Sequence, residues 1–403
     1  MSNRLKKVFY PLLVLAGLTL ANAAKAESEK VEKNFSVKVG GTLNVESDQG
    51  SIEVKTWNKN EVDVLVKKYA RSQKRLDDFE VTVEQKGNDV MVEGDGGRNS
   101  RVDVEFIITV PKNYNVNLKT GGGSIEVDDI QGNVKLNTSG GSIDIGNVDD
   151  GNVDAHTSGG SIKVGDVNGN LKVNTSGGSI RLGKVTGTSE IDTSGGSITL
   201  EQGGSDVDAD TSGGSIKIGP VKGNVKAETS GGSIKIGMAD GNVDADTSGG
   251  SVRVDGSKGS VTVESSGGSL HVGASGGPVK ADTAGGSIKI LNARGWIEAD
   301  TSGGSIVAEM IETDNSKDTH VDLDSSGGSI TVYLPKSIEA TVTAKLRITR
   351  HARRDYRIYS DFPLTIKGEN SDLVTADGEI NGGGDRVNLS TTNGDIYIKM
   401  LEK

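Results

Sequence analysis

One phrase returns along the middle of the chain at a nearly constant interval, and it limits the possible folds more than any other feature. A threonine or serine that opens a glycine-rich turn, as in "TSGGS", stands at positions 120, 138, 157, 175, 193, 211, 229, 247, 265, 283, 301 and 325. The first two intervals are 18 and 19 residues, the next eight are 18, and the last is 24. Such regularity indicates one supersecondary unit repeated in a stack.

Apolar residues alternate with polar residues on both sides of the phrase. Around Thr229 they are Val225 and Ala227 before it, and Ile234 and Ile236 after it. This period of two is typical of half-buried strands. Each unit is therefore predicted to contain a strand, a glycine corner, a second strand and a second corner that carries Gly and Asn.

Stacked coils explain these repeats better than successive hairpins, because the same residue type returns to the same position in every unit. The predicted fold class is all-β: a parallel β-solenoid of ~18-residue coils with N- and C-terminal β caps. At ~4.8 Å per coil, about a dozen coils would form a rod roughly 55–60 Å long. The Gly-Gly pairs are expected to supply positive φ and close backbone approach, and the Gly and Asn of the second corner are expected to supply positive φ as well.

The chain divides into four predicted segments. Residues 1–26 are interpreted as a signal peptide, because a basic head precedes a short apolar stretch and a small-residue cleavage site. Residues 27–119 and 333–403 are predicted to be β-strand caps, and residues 120–332 the repeat solenoid. Nearly all aromatic residues beyond the signal peptide lie in the two caps, where larger side chains would cover the ends of the stack.

Charge and cysteine content restrict the location and the partners. The chain has no cysteine, so no disulfide holds it together and no lipid-modified cysteine anchors it. Residues 1–26 hold four basic residues and no acidic one, so the remainder has 41 Lys and Arg against 56 Asp and Glu, a net charge of −15. An exported protein of the periplasm or cell surface is predicted, without nucleic acid as a partner and without a transmembrane segment once the signal peptide is removed.

Three stretches resemble a known bacterial family. They are "GGTLNVESDQGSIEVKTWNKNEVDV" near the start, "VDVEFIITVPKNYNVNLKTGGGSIEV" before the repeats, and "ADGEINGGGDRVNLSTTNGDIYIK" near the end. Together they make the chain similar to the β-strand-repeat family of bacterial "putative adhesins", a domain of unknown function. The resemblance implies no catalytic residues.

Two outward columns are the candidate site. An acidic column precedes the phrase in seven consecutive coils, and a mostly basic column follows it on the other strand. The acidic ladder consists of Asp192, Asp210, Glu228, Asp246, Glu264, Asp282 and Asp300. The basic column, a candidate polyanion site, consists of Lys163, Arg181, Lys217, Lys235, Arg253 and Lys289.

Two interpretations of the acidic ladder are open. Water, salt and neighbouring cations such as Lys226 and Lys280 would relieve the like-charge repulsion. Alternatively, the carboxylates would bind Ca²⁺ weakly, since hard cations prefer oxygen ligands. No other cofactor is predicted, and the four histidines at 156, 271, 320 and 351 lie too far apart in the repeat to form a metal site.

Two further features each have a structural and a functional interpretation. Residues 347–357 form a basic cluster, interpreted as a solvated loop or as a contact for an anionic polysaccharide or lipid. Trp296 replaces a small residue of its corner, and packing against the insertion near 312–318 is favoured over stacking on a sugar.

A non-enzymatic adhesin or envelope scaffold is the predicted function, with a cell-surface glycan or an envelope protein as its partner. Uniform coils leave no walls for a catalytic cleft. The alternatives are a polysaccharide-binding or polysaccharide-acting β-helix, and an ice-binding solenoid. The second is disfavoured because alternation turns the threonine of the phrase inward, with Val and Ala.

Overall fold

The computed structural model describes residues 27–97, 100–311, 318–350, 352, 356–369 and 371–402. The predicted signal peptide lies outside these residues, as does most of the insertion before residue 325. The described chain is nearly all β, with 39 strands and one short helix, α1 (Gln73–Asp77). None of its helices has the length and apolar character needed to span a membrane.

Two long sheets run the length of the repeat region. Sheet 1 contains the strands that end at the opening Thr or Ser of each phrase. These are β8 (Asn115–Thr120), β11 (Val134–Thr138), β14 (Val153–Thr157), β16 (Leu171–Thr175), β18 (Ser189–Thr193), β20 (Val207–Thr211), β22 (Val225–Thr229), β24 (Val243–Thr247), β26 (Val261–Ser265), β28 (Val279–Thr283), β30 (Ile297–Thr301) and β32 (Val321–Ser325).

Sheet 2 contains the strands that begin after the glycine corner. These are β9 (Ile125–Val127), β12 (Ile143–Ile145), β15 (Ile162–Val164), β17 (Ile180–Val185), β19 (Ile198–Gly203), β21 (Ile216–Ile218), β23 (Ile234–Ala239), β25 (Val252–Ser257), β27 (Leu270–Ser275), β29 (Ile288–Ala293), β31 (Ile306–Met310) and β33 (Ile330–Leu334). A short pair, β10 (Ile130–Gln131) and β13 (Val148–Asp149), lies beside them.

Each repeat strand pairs in parallel with the equivalent strands of the coils before and after it. Val225 of β22, for example, faces Val207 on one side and Val243 on the other. Equivalent positions of the 18-residue unit stay opposite one another through the stack. The predicted all-β parallel solenoid is therefore confirmed.

The core lies between the two sheets and is continuous along the stack. Its inward columns are those of the sequence prediction, with Ala227 and Ile234 fully buried in the same coil. One position departs from the pattern, since Ser189 occupies a column of valines and its buried hydroxyl has no hydrogen-bond partner among the described residues. An unpaired buried hydroxyl costs about 1–3 kcal/mol.

A third inward column was missed by the two-strand prediction. Ten residues after the opening Thr or Ser of ten successive coils, from Thr120 to Thr283, a small or branched residue is buried and pairs with the next coil. The members of this column are Ile130, Val148, Val167, Val185, Gly203, Val221, Ala239, Ser257, Ser275 and Ala293. Each coil therefore has three inward-facing segments, and the third is too short to show period-two alternation.

Close approach, and not positive φ, explains the glycine corners. The glycines of the repeated SGGS corners have no positive φ, so that part of the prediction is wrong. A Cβ on the second glycine would collide with the coil before it: at Gly214 it would lie 2.0 Å from the carbonyl oxygen of Gly196. The first glycine is less restricted, since a Cβ on Gly213 would lie 3.3 Å from the carbonyl oxygen of Gly195.

The hydroxyls of the phrase join successive corners. Thr211 is buried, and its hydroxyl donates to the Gly196 carbonyl at 2.8 Å and accepts from the Gly214 N–H at 3.3 Å. The Ser215 N–H donates to the Ser197 hydroxyl of the preceding coil at 3.2 Å. The threonine row therefore faces inward, as predicted, and holds the corner backbone in place.

Positive φ occurs in some of the second corners, at Gly132 and Asp150, as expected for part of the stack. The glycines and asparagines at 223–224 and 241–242 have no positive φ, and a side-chain ladder joins these corners. The N–H of Asn242 donates to the side-chain oxygen of Asn224 at 2.9 Å, and the N–H of Ser260 donates to that of Asn242 at the same distance. Asparagine is used here because its side chain accepts from the next coil.

The flanking strands continue the two sheets beyond the repeats. They are β1 (Glu27–Ser36), β2 (Thr42–Ser47), β3 (Ser51–Trp57), β4 (Glu61–Ala70), β5 (Glu80–Lys86), β6 (Asp89–Asp95) and β7 (Asp103–Pro111) at the N-terminal end, and β34 (Ala340–Arg347), β35 (Ile358–Ser360), β36 (Thr365–Lys367), β37 (Leu373–Ile380), β38 (Asp385–Thr392) and β39 (Ile396–Met400) at the C-terminal end.

Pairing changes from parallel to antiparallel near the ends of the stack. Sheet 1 runs from β8 through β2 and β6 to antiparallel β5, and from β32 through β38 and β34 to antiparallel β37 and β36. Sheet 2 runs from β9 through β3 and β7 to antiparallel β4 and β1, and from β33 through β39 to β35. The segment boundaries at 119 and 332 stay predictions, since strands on both sides belong to the same sheets.

The two glycines of one corner should differ sharply in their tolerance of a methyl group. Gly214→Ala forces two coils apart, so we expect a loss of at least about 3 kcal/mol of local stability. Gly213→Ala is the matched control and should change stability by less than about 1 kcal/mol, because its φ suits alanine. Thermal unfolding followed by circular dichroism measures both, and equal losses would contradict the close-approach explanation.

Candidate binding surface

The six predicted cations form one straight column on the outer face of sheet 2, here called the cationic strip: Lys163, Arg181, Lys217, Lys235, Arg253 and Lys289. Register places them in order along eight neighbouring strands, with Thr199 and His271 at the two intervening positions. At about 4.8 Å between strands, the strip is roughly 34 Å long. The structure therefore brings together all the residues of the candidate polyanion site.

Most of the strip has no built-in counter-charge. Lys163 pairs with Asp144 at 3.0 Å and Arg253 with Asp255 at 2.9 Å. The other four cations form no ion pair with any residue that the structure describes. The sequence explains this, because the outward positions beside them are mostly serine and glycine.

His271 does not add a full charge to the strip. Burial lowers the pKa of its imidazole, and the neighbouring cations Arg253 and Lys289 lower that pKa further. The neutral ring is therefore favoured near neutral pH.

The seven predicted carboxylates form a second straight column on the outer face of sheet 1. Each pairs in register with the next, from Asp192 to Asp300. An eighth member, Asp324, faces Asp300. It was missed because the 24-residue interval breaks the count, although the phrase that opens at Ser325 places it directly before the corner.

Lysines beside the ladder neutralise part of it. Lys226 pairs with Glu228 at 2.8 Å, and Lys280 reaches Asp282 at 3.2 Å and Glu264 at 3.6 Å. These are the two lysines expected to relieve the repulsion. Exposed pairs of this kind each contribute about 0–1 kcal/mol.

Four aspartates of the ladder keep a raised pKa. They are Asp192, Asp210, Asp246 and Asp300, which remain partly or largely accessible to solvent, and in each the largest cause is partial burial of the carboxyl, followed by the charge of a neighbouring carboxylate. These residues favour the neutral form more than ordinary aspartates do, so the ladder opposes folding at neutral pH.

The histidines and carboxylates of the described chain form no group of three or more arranged to hold a metal ion. Ca²⁺ takes six to eight oxygen ligands around one centre, whereas the ladder is a straight row with one strand spacing between members. Weak Ca²⁺ binding stays a prediction, and His351 lies outside the described residues.

Trp296 packs against His320, a residue that follows the insertion in sequence. Its ring stacks on His320, with centroids 5.4 Å apart and planes within 10°. His320 is held by Asp318 at 2.8 Å and Glu298 at 3.2 Å, and the hydrogen bonds from His320 lower the pKa of Asp318. One ring face is thus covered by His320. Residues 312–317 of the insertion lie outside the described residues, so the packing of Trp296 against them stays a prediction.

A shallow groove of about 900 Å³ follows the second corners along sheet 1. The asparagine ladder lines it, together with outward carboxylates and lysines such as Asp208, Lys226 and Asp244. Its mixed charge makes it a poorer place for a polyanion than the cationic strip. The basic cluster at 347–357 is only partly described, since residues 351 and 353–355 lie outside the described ranges.

Comparison with known proteins gives one family and several solved structures. A family model described as Toastrack DUF4097 matches residues 40–291. A "putative cell adhesion protein" from Clostridium sporogenes is 12% identical and covers 93% of this chain and 100% of its own, with a TM-score of 0.19. A "putative adhesin" from Bacteroides fragilis is 10% identical, covers 93% of this chain and 97% of its own, and has a TM-score of 0.23.

A third structure, a "putative adhesin" from Parabacteroides merdae, is 12% identical and covers 70% of this chain and 97% of its own, with a TM-score of 0.29. Likenesses with such low TM-scores carry no argument about function. No curated protein matches the chain significantly.

The pH dependence of stability should show that the four aspartates with a raised pKa destabilise the folded chain at neutral pH. Because their pKa values are raised on folding, the folded chain binds more protons in the acidic range, and stability falls as the pH rises through those values. Replacing Asp192, Asp210, Asp246 and Asp300 together by Asn should raise stability by about 1 kcal/mol at pH 7. The gain should disappear at about pH 3, where the native carboxyls are largely neutral as well.

A matched triple variant provides the control for this measurement. This variant removes carboxylates that are paired with Lys226 or Lys280, through Glu228→Gln, Glu264→Gln and Asp282→Asn. No gain in stability is therefore expected at pH 7. Melting temperatures at both pH values test the difference, and a loss of stability in the fourfold variant at pH 7 would contradict it.

Proposed function

The chain belongs to the Toastrack DUF4097 family, and we propose that it is an exported, non-enzymatic rod that serves as an adhesin or envelope scaffold by binding an anionic polymer. The observation that carries the proposal is the cationic strip. Its six cations stand in one straight column, and four of them form no ion pair with the described chain.

The spacing of the strip suits an extended polymer better than a small ligand. A cation follows at one or two strand spacings, about 5 or 10 Å, over roughly 34 Å. Each contact with an exposed anion contributes about 0–1 kcal/mol, so useful affinity requires several contacts at once. A polyanion provides them on one chain, where the second and later contacts are intramolecular.

The net charge restricts the binding to this surface. An acidic chain repels polyanions in general, and the ladder on sheet 1 strengthens that repulsion on its own face. The strip is the region where a polyanion is attracted, so the rod would hold the polymer along one side and leave the other side free.

Uniform coils favour binding over catalysis. In the part of the repeat region that the structure describes, the coils keep nearly the same length and short corners join their strands, an arrangement that does not build the walls that exclude water from an active site. Ice binding has no support in the threonine row, because Thr211 and its equivalents are buried.

Export is the first part of the proposal to test. A C-terminally tagged chain should fractionate with the periplasm or the cell surface, and mass spectrometry should show that residues 1–26 are missing from the mature protein. The reason is the basic head, short apolar stretch and small-residue cleavage site of the leader. An intact chain found only in the cytoplasm would contradict the proposal.

Charge reversal in the strip tests the binding part. Lys217→Glu with Lys235→Glu should weaken binding to alginate, a polyuronate, and to inorganic polyphosphate by at least about tenfold, which corresponds to 1.4 kcal/mol. Binding by the unchanged chain should weaken as NaCl is raised, because salt screens exposed charges. Affinity is measured by biolayer interferometry over a salt series.

The control has the same net charge change elsewhere on the rod. Lys184→Glu with Lys222→Glu reverses two exposed lysines that lie outside the strip. This variant should keep most of the affinity. Equal losses in the two variants would show that only net charge matters, and the strip would then not be the binding site.

A further inference from the structure

The column that contains the cationic strip continues past it at both ends, and the two ends differ. On the N-terminal side its next members are Asp144, Glu126 and Glu53, each in register with its neighbour. On the C-terminal side they are Val307, Thr331, Tyr397 and Tyr359. One line of outward positions therefore changes from acidic to cationic to aromatic along the rod.

The acidic end is a boundary for a polyanion. Asp144 pairs with Lys163, the first cation, and therefore reduces the attraction at that position. Glu126 and Glu53 follow without an intervening cation in the column, and Lys55 of the same strand pairs with Glu53 at 2.8 Å and offsets part of its charge. The column offers a bound polyanion no cation there, so contacts are gained only toward the C-terminal end.

The aromatic end is built from strands that are distant in sequence. β39 lies between β33 and β35, which places Tyr397 next to Thr331 and Tyr359 at the outermost position. The two tyrosine rings stack with centroids 5.0 Å apart and planes within 8°. Tyr359 stays 47% exposed, although large apolar and aromatic residues of this chain are mostly buried.

A cation accompanies the tyrosines. The Lys399 ammonium lies 5.6 Å from the Tyr397 ring and 6.0 Å from the Tyr333 ring. Lys399 is itself in register with Tyr333, beside the column. The end of the rod thus presents the exposed Tyr359 side chain and a positive charge together, while the Tyr397 hydroxyl donates to Asp395 at 3.4 Å.

We propose that this column binds an acidic polysaccharide at one fixed position along the rod. The anionic groups of the polysaccharide contact the cationic strip, and one of its sugar rings packs against the Tyr359–Tyr397 pair. The inference rests on the proposed function and adds the chemical class of the polymer. An aromatic ring packs against the apolar C–H face of a pyranose, while its hydroxyl can bond to sugar hydroxyls. Inorganic polyphosphate offers no such face, so the tyrosines distinguish the two polyanions.

The distances set the length of oligosaccharide that is needed. Lys289 and Tyr397 are three strand spacings apart, about 14 Å, whereas Lys163 and Tyr359 are eleven apart, about 53 Å. A short acidic oligosaccharide can therefore contact Lys289 and the tyrosines together. A longer chain adds contacts along the strip until the acidic end is reached.

The test compares Tyr359→Ala with Tyr69→Ala in the purified full chain. Tyr69 is the matched control, since it is also exposed, at 37%, and lies on sheet 2 near the opposite end of the stack. The probes are oligoalginates of graded length and inorganic polyphosphate. Tyr359→Ala should weaken alginate binding by about three- to tenfold and leave polyphosphate binding unchanged, while Tyr69→Ala should change neither.

The possible outcomes separate this inference from the proposed function. If both probes bind and Tyr359→Ala affects them equally or not at all, the tyrosine site is wrong and the cationic strip remains. If neither probe binds, or if Lys217→Glu with Lys235→Glu leaves their binding intact, the proposed function itself fails. A circular dichroism melt of Tyr359→Ala shows whether the variant is folded, and Tyr359→Phe should keep most of the alginate affinity because it retains the ring.

Discussion

Close contact between successive coils at the second glycine of each corner is the constraint on which the rest of the structure depends. A Cβ there would lie about 2 Å from a backbone carbonyl, as at Gly214, so the position accepts only glycine. The neighbouring Thr211 hydroxyl bonds to the same carbonyl and to its own corner. Together they fix each coil against the one before it, and an 18-residue unit then keeps every other position in register.

Strict register has an electrostatic cost and a functional use. Any charge that returns in the repeat is stacked on its own kind, so the acidic ladder opposes folding, and lysines such as Lys226 and Lys280 offset part of that cost. The same register aligns Lys217 and Lys235 with the other cations of the strip. A polymer with regularly spaced anions therefore meets cations that are spaced at multiples of the strand separation. A surface built from loops seldom provides such regular spacing.

Sequence periodicity predicted the fold well because equal intervals in the sequence place equivalent residues opposite one another in neighbouring coils. The inward columns around Ile234, the buried threonines and both charged columns follow from counting 18 residues and alternating faces. Counting failed where the interval changed, as at Asp324, and where a segment was too short to alternate, as in the third inward column. Composition also misled, because glycine at the corners suggested positive φ when its function is to allow two backbones to touch.

By itself, the sequence determined the solenoid, its two main sheets and the chemical character of their outer faces, since a local period suffices to place residues that recur every coil. Only the tertiary structure decided what happens at the ends. Tyr397 lies six residues after Thr391, the same position that the strip occupies in each coil, but Tyr359 belongs to no repeat. Their strands return to the stack in reversed order, with β39 between β33 and β35. Pairing between such distant strands depends on how the last coils close, so the aromatic end of the strip emerges only when the chain is folded.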